Sequence, residues 1–484
     1  MEQNNDHAKN TEKFIRMTTQ PVEKLIAKLA VPTIISMLVT SFYNLADTFF
    51  VRQLENDSMV AAVGVVLPLM TLIQAFGFFC GHGSGNYISR AYGKQDYKDA
   101  ETMAATGFCY AVLFGLIIGV LGLVFIDPLA LLLGAKTEAT IRSTIDYMRY
   151  ILYATPFMTG AIVMNNQLRM QGNAFFAMIG LTSGAIVNIL LDPILIYSAG
   201  DTLAGGSVTM PFGAGMGVGG AALATAVSQI LSFFILFIGV TKSDNIKIHL
   251  KNFSPRLYYI KNIVRGGLPS LGRQGVSSIA VACLNHAVGI YVQDSIMIDA
   301  VQAAMTGVSK IMNFLTSALT GFGQGFQPVC GFNYGAGKYK RVIRAYTFCV
   351  KVSTVVLVAI AAVGFAFAEP ITQAIAGSSE LAGDIAAVAF RAQLVVFPLM
   401  SWVIMCNMML QNIGMTARAT IVAMSRQGIA FIPAVFILPL ITGKLFSDPV
   451  IGLQLSQSVA DLLSFIISLP IGVSVLREMA AKEK

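Results

Sequence analysis

The sequence predicts an all-α polytopic membrane protein, with twelve transmembrane helices in two six-helix lobes related by a parallel pseudo-two-fold repeat. Three observations carry that prediction. The 484 residues are 55% hydrophobic and only 12% charged, with mean hydropathy +0.69, against roughly 25% charged residues in a soluble domain. The apolar residues fall into runs of about the twenty residues that a helix needs to cross a bilayer. One set of residues also recurs at a fixed offset in the two halves of the chain.

Taken in order, the runs are 26–51, 59–82, 103–126, 143–166, 175–198, 217–240, 266–291, 301–326, 347–368, 386–409, 420–442 and 451–475. Pro32, Pro156, Pro193, Pro269, Pro398 and Pro433 fall inside or near the ends of these runs. Membrane helices tolerate proline because neighbouring groups re-satisfy the freed carbonyls. A polar stretch precedes the first run without a small-residue cleavage site, so that run is expected to persist as a helix. Five regions follow: an N-terminal segment 1–25, an N-lobe 26–241, a basic linker 242–265, a C-lobe 266–476 and a tail 477–484.

Charge sets the orientation. Lys and Arg in the even-numbered connections outnumber those in the odd-numbered ones fifteen to four. By the positive-inside rule this places both termini in the cytoplasm, in the plasma (inner) membrane. The net charge of +8 sits in these short loops, so it does not point to nucleic acid. The six cysteines lie in or beside apolar runs with no CxxC pair, which reads as buried free thiols.

The repeat is specific. An offset of 242 residues carries Tyr92-Gly93 onto Tyr334-Gly335, Tyr97-Lys98 onto Tyr339-Lys340 and Asp127-Pro128 onto Glu369-Pro370. It also carries Pro156 onto Pro398, Asn165 onto Asn407 and Gly172 onto Gly414. In the last run of each half, Leu231-Ser232-Phe233 aligns with Leu463-Ser464-Phe465 at an offset of 232. Six spans per half give the halves the same orientation, a pattern of transporters whose substrate path runs between the repeats.

Within the greasy stretch from Gly184 to Tyr197, Asn188 and Asp192 are four residues apart and share one helix face. Pro193 lacks an N–H, so the carbonyl of Ile189 is expected to lose its helical donor. An ionisable group at membrane depth is a functional-site hypothesis by default. Counting along the spans puts Asp47, Asn188, Asp192 and Thr225 at a common depth in the outer half of the N-lobe.

Pro32, Asp47-Thr48, Gly83-x-Gly85-x-x-Ile88-Ser89-Arg90, Asn188-x-x-x-Asp192-Pro193 and Gly220-Ala221-Ala222-x-Ala224-Thr225 together resemble the MATE (multidrug and toxic compound extrusion) family. The resemblance covers residues 20–475 and is closest to the bacterial MepA-type branch. It implies two six-helix lobes and a secondary active antiporter that exports organic, cationic or amphiphilic drugs in exchange for H⁺ or Na⁺. It further implies a coupling-ion site at Asp47, Asn188, Asp192 and Thr225. Tyr43, one turn before Asp47, and Asn165 in the fourth span are supporting candidates.

The chemistry suits either ion. Two carboxylates close together in a poorly solvated site cannot both carry charge cheaply, so one becomes a proton acceptor. Carboxylate, amide, hydroxyl and carbonyl oxygens are equally hard ligands for Na⁺, the one metal ion expected here. No other cofactor is expected, since GxxxxGK[ST], HExxH and GxSxG are absent and the glycine runs at 213–219 and 321–325 lack a strand-then-helix context. A transporter and not an enzyme is therefore expected. The partners are small organic substrates and the lipid bilayer, and two covalent halves make a monomer sufficient.

The C-lobe does not repeat the acidic cluster: Ala430 and Ala434 stand opposite Asn188 and Asp192. This half carries Arg273, His286, Arg391 and Asp461, with Asp461 a candidate partner for the first or third of these and His286 read as a packed residue. Phe397, Met405, Met408 and Met409, in the tenth span, are candidates to line a repackable substrate cavity. Two alternatives in the same fold superfamily stay open, a lipid-linked precursor flippase and a dedicated metabolite exporter. The few membrane cations speak against a pyrophosphate-binding cavity.

Overall fold

The computed structural model describes residues 2–54, 56–203, 208–242, 247–376 and 379–482. Residues 243–246 of the predicted linker, residues 483–484 of the tail and the Thr48 side chain lie outside the described residues. The first half of the chain forms α1 (Glu2–Thr19), α2 (Val22–Arg52), α3 (Asp57–Gly93), α4 (Tyr97–Val124), α5 (Ile126–Leu133), α6 (Glu138–Met170), α7 (Ala174–Ile196) and α8 (Val218–Lys242). Between α7 and α8, the two-residue strands β1 (Thr202–Leu203) and β2 (Val208–Thr209) pair antiparallel. The second half forms α9 (Leu257–Tyr291), α10 (Ser295–Gly335), α11 (Tyr339–Ala366), α12 (Ala368–Ala376), α13 (Glu380–Val396), α14 (Met400–Ile413), α15 (Thr416–Met424), α16 (Phe431–Phe446) and α17 (Pro449–Ala481).

The protein is thus almost entirely helical. Among the described residues, nine helical stretches are long and apolar enough to cross a membrane. They comprise α2, α3, α4, α7, α8, α11, α13–α14, α15–α16 and α17. The helices α6, α9 and α10 are as long but carry more polar residues.

Local chemistry sets the helix ends. Asn56, Asp96, Thr137, Asp294, Ser379 and Asp448 each accept a backbone N–H in the first turn of α3, α4, α6, α10, α13 and α17, the usual N-cap arrangement. Pro449 follows its cap directly, where a missing N–H costs nothing. Gly172 and Gly414 close α6 and α14 with φ of +82° and +86°, a left-handed conformation that favours glycine.

The two halves resemble each other in detail at the offset of 242. The bounds of α4 and α11 differ by that number. The Tyr92 and Tyr97 rings meet edge-on at 5.3 Å, and those of Tyr334 and Tyr339 at 5.4 Å. The Asn165 amide donates to the Ala177 carbonyl at 2.8 Å, and Asn407 donates to Ala419 at the same distance.

The halves also differ. Pro156 lies inside an unbroken α6, whereas Pro398 sits in a 3₁₀ turn, Phe397–Leu399, that separates α13 from α14. Residues Ser425–Ala430 form a π-helical turn between α15 and α16. Sequence periodicity resolves neither feature.

The chain divides into two compact units. One comprises Met1–Thr19 and Val31–Gly267, and the other Gln20–Ala30 and Leu268–Lys484. These bounds differ from the lobes read off the sequence at both ends of the linker. Helix α9 already begins at Leu257, and residues up to Gly267 belong to the first unit. Local contacts hold this stretch there. Ser254 donates from its N–H to the Thr106 hydroxyl at 3.2 Å, and the Tyr259 hydroxyl donates to Asp99 at 2.8 Å. Tyr87 also donates to Asp99, and its hydroxyl lies 2.6 Å from that of Tyr258. Burial and the bond to Asp99 push the Tyr259 phenol up to about 12. The segment 1–25, read from the sequence only as polar, contains α1, whose Met17 is buried and whose Lys13 lies over the Tyr92 ring.

In the first unit α6 is the central element. It packs against α3, α4, α7 and α8, and its face from Thr144 to Met170 is buried. Small residues let backbones approach, as is usual between membrane helices. Gly184 of α7 lies against Ser228 and Ser232 of α8, and Gly220 of α8 lies against the Leu195 backbone of α7. In the second unit, α10 packs against α11, α13 and α14, and α17 packs against α16 and α13.

Candidate functional site

The cluster is built on α2, α7 and α8 of the first unit, and α6 walls it. Asp192 and Asn188 sit one turn apart on α7, 0% and 1% exposed. The Asn188 amide N–H₂ lies 3.4 Å from Asp192 Oδ1 and 3.4 Å from the Thr225 hydroxyl of α8. Both are at the long limit for a hydrogen bond, so the amide bridges the two helices loosely. Thr225 is buried as well, and its carbonyl accepts the Ser228 hydroxyl at 2.8 Å.

The cluster holds more acceptors than its donors reach. Asp47 Oδ1, Asn188 Oδ1 and Asp192 Oδ2 are buried without a hydrogen-bond partner among the described residues. A buried acceptor left unpaired costs about 1–3 kcal/mol, and a carboxylate more. A proton taken up by one carboxylate supplies a donor to one neighbouring oxygen, and a small hard cation accepts several such oxygens as ligands. Asp47 and Asp192 lie within electrostatic reach of each other, and both lie within reach of Tyr43 and Tyr147.

Sequence reasoning therefore brings together Asp47, Asn188, Asp192, Thr225 and Tyr43. Asn165 does not join them. Its amide N–H₂ donates to the Ala177 carbonyl, where it ties α6 to α7. Two residues escape the sequence reading. Tyr147, 1% exposed on α6, points its hydroxyl toward Met70 sulfur at 3.9 Å and stands in the field of both carboxylates. The Tyr197 hydroxyl donates to the Phe50 carbonyl at 2.5 Å and so joins the end of α7 to α2 one turn beyond Asp47. Tyr147 had a signal in the sequence, since its place in the fourth span matches the depth of the cluster. The Tyr197 bond had none, because its partner is a backbone carbonyl far away in the chain.

In the second unit the structure gives Asp461 a partner other than the two expected. Phe397, Met405 and Met409 are fully buried and Met408 is 6% exposed. They are packed within the unit, and Gly323 of α10 gives Met405 and Met408 room. Asp461 pairs with neither Arg273 nor Arg391. Arg391 reaches Glu369 at 3.1 Å, while Arg426, in the π-helical turn, donates to Asp461 at 2.7 Å. The sequence signal for Arg426 is an arginine inside the eleventh apolar run. His286 packs edge-on against Phe436 with ring centroids 6.5 Å apart, in keeping with a packed residue. All six cysteines are free thiols.

Comparison with known proteins adds an independent line. A family model described as MatE matches residues 32–194 and again 275–437. The chain is similar to the multidrug export protein MepA of Staphylococcus aureus, 27% identical over 462 residues that cover 94% of this chain and 95% of that protein. The Staphylococcus haemolyticus protein of the same name is 26% identical over the same coverage. Among solved structures, an outward-facing multidrug resistance MATE family transporter of the MOP superfamily superimposes with TM-score 0.86 at 26% identity, over 96% of this chain and 98% of the other. A MOP superfamily transporter from Pyrococcus furiosus gives 0.84 at 27% identity, over 97% and 98%.

Proposed function

This chain belongs to the MatE family of multi-pass membrane transporters, and from that premise we propose that it is an ion-coupled multidrug exporter. It carries organic, cationic or amphiphilic compounds out of the cell in exchange for H⁺ or Na⁺ by alternating access. It works as a monomer of twelve transmembrane helices, in two six-helix lobes related by a parallel pseudo-two-fold axis, in the cell membrane with both termini in the cytoplasm. The names of the similar proteins, export proteins and multidrug resistance transporters, support the substrate class.

One observation carries the coupling. Among the described residues, Asp47, Asn188 and Asp192 each bury an acceptor oxygen without a partner, and Asn188 reaches Thr225. Taking up the ion there relieves the unpaired oxygens it reaches and draws α2, α7 and α8 together. The Tyr197 bond to the Phe50 carbonyl transmits that pull to α2 just beyond Asp47. A change in the path of α2 then changes access to the drug pathway, and release of the ion reverses it. The exchange is obligatory because the oxygens are costly to bury bare.

The test is ethidium efflux from proteoliposomes under an imposed Na⁺ gradient or an imposed pH gradient. The gradient that drives wild-type efflux identifies the ion, and Asp47→Asn and Asp192→Asn should each abolish that driven component. If both variants keep wild-type gradient-driven efflux, this coupling mechanism is wrong.

A further inference from the structure

The second unit holds a fully buried carboxylate that the coupling site does not use. Asp461 of α17 is 0% exposed. Its Oδ1 accepts from Arg426 Nε and from Gln457 Nε2, both at 2.7 Å, and its Oδ2 accepts from an Arg426 Nη at 3.4 Å. We infer that Asp461 is a second binding carboxylate for organic cations, occupied by the tethered guanidinium of Arg426 until a cationic substrate displaces it. The inference rests on the multidrug-exporter reading and names one substrate-binding residue for it.

Three features separate this pair from a structural strut. The repeat shows first that the fold stands without it. At the offset of 242 Arg426 corresponds to Gly184, and at the offset of 232 Asp461 corresponds to Gln229. In the first unit the same two helices close instead through Gly184 against Ser228 and Ser232. A buried ion pair is weak support for stability in any case, since apolar side chains of similar size often do as well.

Second, Arg426 is held in a way that lets it leave. It sits in the π-helical turn Ser425–Ala430, a wide turn that recurs at functional sites. Its side chain is 19% exposed while that of Asp461 is not exposed at all. The arginine therefore has a route to the surface of the unit, whereas the carboxylate stays behind and must keep a cation.

Third, the chemistry matches. A guanidinium is itself a delocalised organic cation that donates N–H groups to the carboxylate, so an amidinium or a planar cation with exocyclic amines, such as ethidium, offers the same charge and donors. Gln457, one turn from Asp461 on α17, stands where Thr225 stands in the first unit, and its amide keeps one carboxylate oxygen oriented during the exchange. A carboxylate at this depth is expensive and marks a pathway by default.

The experiment is ethidium binding to the purified full-length protein in detergent, read by fluorescence polarisation, with thermal unfolding of each variant alongside. Removing the internal competitor should raise affinity, so Arg426→Gln should bind ethidium at least about tenfold more tightly than wild type. Asp461→Asn should bind it at least about tenfold more weakly. Arg426→Gln/Asp461→Asn should match the weak single variant. A purely structural pair gives a different pattern, in which both single variants lose melting temperature and affinity together, and that result overturns the inference. Should Arg426→Gln fail to fold, Asp461→Asn and the uncharged double variant still decide, because wild-type affinity in either one overturns it. Wild-type protein that binds no ethidium at all would sink the multidrug reading itself. Binding that ignores all three variants would sink only the role of Asp461.

Discussion

Gly220 offers a direct test of how packing holds the proposed ion site. A Cβ added at this position in α8 would lie 2.3 Å from the Leu195 carbonyl oxygen, 2.5 Å from its carbon and 2.9 Å from the Ile196 nitrogen. All three are backbone atoms of α7, so no side chain can rotate out of the way. Restoring ordinary contact at 3.4 Å moves α8 away from α7 by about 1 Å. Leu195 lies less than one turn beyond Asp192, and Thr225 lies just over one turn beyond Gly220 on α8. The displacement therefore falls on the Asn188–Thr225 contact, already at 3.4 Å, and carries it out of hydrogen-bond range. Overpacking of this kind costs about 1–3 kcal/mol. Gly220→Ala should lower the melting temperature in detergent and weaken the dependence of efflux on the driving ion.

The neighbouring residue supplies the control. A Cβ at Gly219 would meet only Tyr150 at 3.5 Å and Asp146 at 4.0 Å, so Gly219→Ala fits and removes unfolded-state entropy worth about 0.4–1 kcal/mol. It should melt no lower than wild type and transport normally. Equal behaviour of the two variants, in melting and in ion dependence, would refute the idea that the α7–α8 approach sets the site.

Further outcomes follow from the same geometry. Tyr197→Phe removes the hydroxyl bond to the Phe50 carbonyl. It should cost about 1 kcal/mol of stability and raise the ion concentration for half-maximal efflux; an unchanged ion dependence would free α2 from this link. Asn165→Ala and Asn407→Ala each delete one interhelical bond of 2.8 Å, so each should lower stability by about 0.6–2 kcal/mol, measured by thermal unfolding. Neither should alter the choice of driving ion. The Tyr259 phenol is held up to about 12 by burial and by Asp99, above its ordinary value near 10. Its contribution to docking the 247–267 stretch is thus complete below about pH 10 and fades as pH rises through about 12. A phenolate titration of wild type against Tyr259→Phe should show that one late component, and its absence would contradict the contact.

Much of the site was legible because it is local or symmetric. Asn188 and Asp192 share a helix face by spacing alone, and the structure keeps them there. The bounds of α4 and α11 and the Asn165–Ala177 and Asn407–Ala419 bonds obey the offset that the sequence displays, since a repeated sequence meets the same local minima twice. Composition was equally decisive for the helical, membrane-spanning character, because backbone groups in lipid must be satisfied within the segment.

Contacts between distant segments were decided only by the tertiary structure. The Asn165 amide ties α6 to α7 through the Ala177 carbonyl, and the methionines near Gly323 are packed within the second unit. Arg426, and not Arg391 or Arg273, found Asp461. The Tyr197 hydroxyl found the Phe50 carbonyl, a backbone partner that no pattern in the sequence marks. The physical reason is common to all of these. Period and hydropathy say which face of a helix is apolar, but a side chain's partner depends on the rotation and separation of the neighbouring helix. Those are set by packing at small residues such as Gly184 and Gly220, in three dimensions.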